Sequence, residues 1–137
     1  MIKYVAAYLG AGLTFAVIDA VWLTLMTNRL YKPVLEPILA AKPDMKAAVL
    51  FYLISIGGTV FLAIEPALRE GAWQRAALNG AVLGFVAYAT YDLTNQATLN
   101  VWSARLTIID LCWGTALTTV SALGGYAAAR WAEGRFG

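Results

Sequence analysis

The chain has 137 residues, of which 61% are hydrophobic and 13% charged, with a formal net charge of +2 and a mean hydropathy of +0.66. A soluble domain carries about 25% charge; this chain has too little to solvate a globule, and its apolar surface asks for lipid instead. The composition also excludes several chemistries: there is no basic patch interleaved with aromatics for nucleic acid, no histidine for haem, di-iron or catalytic zinc ligation, and only one cysteine, Cys112, so no intrachain disulfide.

In chain order, Lys3 precedes an uncharged apolar run from Tyr4 to about Val17 that resumes past Asp19 to Met26. At about 1.5 Å per residue such a run spans a hydrocarbon core of about 30 Å with some tilt, and it is too long for a signal peptide. It predicts a first membrane helix over residues 4–27. The stretch from Asn28 to Lys46 holds Arg29, Lys32, Glu36, Lys42, Asp44 and Lys46 together with Pro33, Pro37 and Pro43. Prolines at that spacing stop a regular helix, which predicts a structured loop or short interfacial segment. It reads as a plain connector, with a lid over a polar site as the alternative.

A second span is expected over 47–64, closed by Glu65-Pro66, and a polar turn from Arg69 to Arg75 leads into the third. The third span has two candidate ends. A stop at Thr90 would make Asp92 an interfacial cap, whereas continuing over 76–99 matches a bilayer better and puts Asp92 and Asn95 inside the helix. The fourth span is expected over 106–129, followed by an Arg130-Trp131 interface anchor; Trp73 and Trp102 read the same way. The fold expectation is an all-α, integral membrane four-helix transmembrane bundle, one domain over residues 1–137.

With four crossings, Lys3, Arg69, Arg75, Arg130 and Arg135 fall on one side of the membrane, called A, and Arg29, Lys32, Lys42, Lys46 and Arg105 on the other, called B. Five against five leaves the positive-inside rule without a bias, so either the N-terminal amine breaks the tie or the chain inserts both ways round.

Asp19, Asp92 and Asp110 sit within or at the edge of apolar spans, where an aspartate costs roughly 2.5–3.5 kcal/mol and needs a partner or a job. All three fall in the B half, with Tyr52 and Ser55 at similar depth and Arg105 as the nearest cation. Asp19 shares a helix stripe with Trp22, and Asp110 with Trp113; Tyr88, Asp92 and Asn95 form an i, i+4, i+7 row. The first and fourth spans both carry Ile-Asp-x-x-Trp-x-Thr, at Ile18-Asp19 and at Ile109-Asp110. Because these helices run in opposite directions, an inverted repeat does not explain it; chance or shared pocket chemistry does. Gly10, Gly84 and Gly57-Gly58 offer surfaces for close helix approach. The candidate ligand-binding set is therefore Asp19, Trp22, Tyr88, Asp92, Asn95, Asp110 and Trp113, with no metal or cofactor implied. Cys112 reads as a packing residue.

The motifs Asp19-x-x-Trp22-Leu23, Tyr91-Asp92-x-Thr94-Asn95-x-Ala97 and Asp110-x-x-Trp113-Gly114 resemble those of the DUF2177 family of small bacterial membrane proteins, over nearly the whole chain. The resemblance implies a four-helix fold in a bacterial inner (cell) membrane and carries no catalytic residue over. Three functional classes remain. The leading one is binding or transport of a small or amphipathic molecule by protonatable carboxylates in a polar layer; coupled transport would need a homodimer, since one bundle leaves little room for a pathway. The second is a membrane enzyme acting on a lipid or isoprenoid through paired carboxylates. The third is a structural or accessory subunit of a membrane complex. Membrane lipids are the expected surroundings in all three.

Overall fold

The helices form where the apolar runs predict them, and the prolines break them less than expected. The computed structural model describes all residues, Met1–Gly137. Helix α1 spans Ile2–Met26, α2 Met45–Glu70, α3 Trp73–Thr98 and α4 Ala104–Phe136. Asp44 caps α2 by accepting from the Lys46 and Ala47 amides at 3.0 and 3.2 Å, and Ser103 caps α4 by accepting from the Leu106 amide at 3.1 Å. Gly71, at φ 66°, ends α2 in the left-handed conformation that a residue without a Cβ adopts freely.

Two sequence expectations about proline are corrected. In the segment after α1, expected as a structured loop or short interfacial segment, the prolines do not stop the helix: the chain stays helical through Pro33 to Ile38, and the backbone turns extended only at Leu39. Likewise Glu65-Pro66 does not close α2, which continues to Glu70. In both places a five-residue π turn, Thr27–Tyr31 or Val60–Ile64, precedes the proline. The wider turn relieves the clash between the pyrrolidine ring and the carbonyl four residues back. At Pro66 that carbonyl belongs to Leu62, and it accepts instead from Asn79 Nδ2 of α3 at 3.1 Å. A neighbouring helix thus satisfies the backbone group that the proline freed.

Helix α4 is the centre of the bundle, packed along α1 on one side and α3 on the other. Small residues set the spacing. A Cβ on Gly10 would lie 2.6 Å from that of Ala128, and one on Gly84 would lie 2.5 Å from the Gly114 carbonyl oxygen. Gly57-Gly58 is no such surface: a Cβ on Gly58 would meet nothing within 4 Å. Helix α2 joins the bundle chiefly through its second half, from Val60 on, where Ala63, Ile64 and Ala67 meet Ala7, Ala76 and Ala129 in the A-side core. Its first half leans away, with Met45, Leu50 and Phe51 exposed.

The outer surface is apolar, as Leu9, Leu13, Val17, Ile54, Phe61, Val82, Phe85 and Ile108 all point outward. Three stretches, Ile2–Ile38, Met45–Glu70 and Ala104–Phe136, are long and apolar enough to cross a membrane. Helix α3 is comparably long, with 26 residues, but more polar. The protein is a helical membrane bundle.

Candidate functional site

Asp19, Tyr52, Asp92 and Asp110 each lie six or seven residues inside the B-side end of their helices, about 10 Å along the axis. The helix lengths thus place the four side chains in one layer. Where α2 leans away from α3, this layer opens into a cavity of about 380 Å³ lined by Asp19, Leu23, Tyr31, Phe51, Ala87, Tyr88, Tyr91, Asp110 and Trp113.

The expected cation is not there. Arg105 is exposed and forms no ion pair with any of the three aspartates; the ion pairs are Lys3–Glu133, Arg69–Glu65, Arg75–Glu70 and Arg130–Glu133, all toward side A. The acids are held by aromatic donors instead. Tyr52 Oη donates to Asp19 Oδ2, and Trp113 Nε1 reaches Asp19 Oδ1 at a long 3.4 Å. Tyr31 Oη donates to Asp110 Oδ1 at 2.6 Å while accepting from Trp22 Nε1 at 2.9 Å. The two indoles stack, with ring centres 4.2 Å apart and planes within 6°.

Asp92 is wholly buried inside α3, so the longer version of the third helix holds. No hydrogen-bond partner reaches either of its oxygens; because Tyr88 packs against Gly114, one turn further along the two antiparallel helices sets Asp92 level with Asp110.

Of the seven candidate residues, Asp19, Tyr88, Asp110 and Trp113 line the cavity, Trp22 stacks behind Trp113, and Asp92 lies level with Asp110. Asn95 does not join them: it is half-exposed, lies outside the lining and has no side-chain hydrogen bond, because one further turn along α3 carries it past the layer. Trp102 is not a free interface anchor, since it bonds Thr107 Oγ1 at 3.0 Å and packs edge-on to Tyr91.

Sequence reasoning passed over Tyr31, Leu23, Phe51 and Ala87. The signal for Tyr31 was its place in Leu30-Tyr31, two bulky residues that a solvated connector has no use for; Leu30 packs with Leu35 and Leu106 under the segment. Through Tyr31, the stretch read as a plain connector supplies part of the cavity wall.

The fold and the site together define a class: a small helical membrane protein with an acidic and aromatic layer in one half of the bundle. Within that class the chain belongs to the family described as Predicted membrane protein (DUF2177), whose match covers residues 4–127 and so includes all seven candidate residues. No curated protein and no solved structure matches it.

Proposed function

We propose that all four helices cross the membrane and that the protein binds, and as a carrier moves, a small or amphipathic molecule in the B-half cavity. The observation that carries this reading is the cavity of about 380 Å³ into which two buried carboxyl groups, Asp19 and Asp110, face without a cationic partner. Its size lies within the range of small-molecule sites, about 300–1,000 Å³. Ionisable groups at membrane depth are expensive to keep, which favours a job over a packing role.

The test is photolabelling with a diazirine-bearing long-chain alcohol in reconstituted membranes. Adducts are expected to concentrate on the Leu23, Phe51, Tyr88 and Tyr91 peptides over the lipid-facing A half of α1, and to vanish from them in Ala87→Trp, which fills the cavity. Labelling spread evenly over the apolar exterior would remove the site. Asp19→Asn and Asp92→Asn are expected to weaken occupancy while leaving expression and melting intact; equal loss of fold and occupancy would favour a structural role.

The placement of Asp92 level with Asp110 on the facing helix supports a second reading, an enzyme whose two carboxyl groups divide acid and base roles. Incubation with labelled membrane lipids separates the two, because an enzyme leaves a new product and a carrier returns its lipid unchanged.

A further inference from the structure

We infer that the occupant of the cavity is an amphiphile with an ammonium head, and that it enters sideways from the B-side leaflet between α2 and α3. This rests on the cavity being a binding site, and it adds the head-group chemistry and the route.

The chemistry follows from the lining. Asp19 and Asp110, both buried and both lining the cavity, bring acidic groups into an apolar layer with no lysine or arginine to balance them. The donors that hold these acids are neutral, Tyr31, Tyr52 and Trp113, so their charge stays uncompensated. The remaining wall is aromatic: Tyr31, Phe51, Tyr88, Tyr91 and Trp113 surround the space. Ring faces attract a cation, most strongly where water is excluded, and rings arranged as a cage suit substituted ammonium groups. An anionic head would meet like charge, and a neutral head would leave the carboxylates unbalanced.

The route follows from exposure. Leu23, Phe51 and Tyr91 line the cavity and are also 42%, 53% and 56% exposed on the outside of the bundle. At this depth the outside is lipid, so the mouth opens onto acyl chains, which suits an apolar tail trailing from a bound head. Toward the water on side B stand Arg29, Lys32, Lys42, Lys46 and Arg105, all exposed and none in an ion pair. Against Glu36 and Asp44 on the same side, this excess of positive charge disfavours direct arrival of a cation from solution within a Debye length of about 8–10 Å.

The experiment uses the full chain in nanodiscs of a neutral galactolipid that has no ammonium of its own. Radiolabelled decyltrimethylammonium, decyl sulfate and decyl glucoside are compared for saturable binding. The cation is expected to bind at least tenfold more tightly than the other two, and to lose at least tenfold in Asp19→Asn and in Asp110→Asn. Equal affinity for sulfate or glucoside, surviving both substitutions, overturns the ammonium assignment while leaving a binding cavity in place. Saturable binding of none of the three, or binding unaffected by Ala87→Trp, overturns the cavity reading itself. Ala87→Trp leaves every carboxyl untouched, so it decides the matter even if the asparagine variants fail to fold. Titrating phosphatidylethanolamine into the nanodiscs then separates sources: displacement of the probe assigns the ammonium to a lipid headgroup, and no displacement to a free amphipathic amine, both within the proposal.

Discussion

Asn79 shows how a polar residue on one helix can serve the backbone of its neighbour. Its amide nitrogen reaches the Leu62 carbonyl at 3.1 Å, the acceptor that Pro66 cannot serve. Asn79→Leu strands that carbonyl, and the expected loss is about 1–3 kcal/mol, the usual penalty for a polar group left unsatisfied away from water. Pro66→Ala gives the carbonyl an amide of its own helix, so the two substitutions should be clearly non-additive in melting experiments; additive losses would mean that the contact is incidental. Asp92 makes the opposite case. It has no donor. Asp92→Asn keeps the shape and replaces a buried, donorless carboxyl by a neutral amide, so melting is expected to hold or to rise by about 1 kcal/mol. A clear fall would make the carboxyl a structural element. The sequence made Asp92 legible through its cost in a membrane, but the partner of Asn79 depends on which carbonyl a proline leaves free one helix away, and no spacing within α3 carries that.

At the scale of elements, the duplicated Ile-Asp-x-x-Trp-x-Thr gains a physical reading. The Trp of each copy serves the acid of the other: Trp113 on α4 reaches Asp19 on α1, and Trp22 on α1 supports Asp110 on α4 through Tyr31. Antiparallel helices with both motifs at one depth produce this exchange and bring the indoles face to face. A double-mutant cycle on Trp22→Leu and Trp113→Leu is expected to show a coupling of about 0.5–1.5 kcal/mol beyond lost burial, whereas zero coupling would mean that the stack only fills space. Gly114 completes the arrangement, since a Cβ there would fall 2.1 Å from the Tyr88 ring. Gly114→Ala must therefore push Tyr88 into the cavity or the helices apart, at about 1–3 kcal/mol, readable as a lower melting temperature. The depth of the acids could be read from helix lengths alone. The exchange between motifs could not, because periodicity places a residue on a stripe without saying which neighbour that stripe meets. The prolines misled for a related reason: a π turn rescues Pro33 and Pro66 by a backbone adjustment that local composition does not announce.

At the scale of the whole molecule, the remaining question is α3, the least apolar of the four helices and the one that decides whether the termini share a side. Its polar groups are largely satisfied within the protein. Asp92 is buried level with Asp110, Asn79 bonds across to Leu62, and the hydroxyls of Thr90 and Thr98 return to the carbonyls of Val86 and Thr94 at 2.7 and 2.8 Å. Its exposed face carries Leu78, Val82, Phe85, Val86 and Leu93, which is a surface that lipid accepts. A mean over the whole helix undercounts this, because hydropathy weighs a hydroxyl bonded to its own helix equally with a free one. Its 26 residues reach about 39 Å, enough to span a bilayer. The expected outcome is that α3 crosses, so that Ala72 and Asn100, in the turns at its two ends, face opposite sides. With Cys112→Ala as background, Ala72→Cys and Asn100→Cys introduced singly should react with a membrane-impermeant maleimide from opposite faces of sealed vesicles. Labelling of both from the same face would put α3 along the membrane surface and pull Asp92 out of the layer that the other acids share.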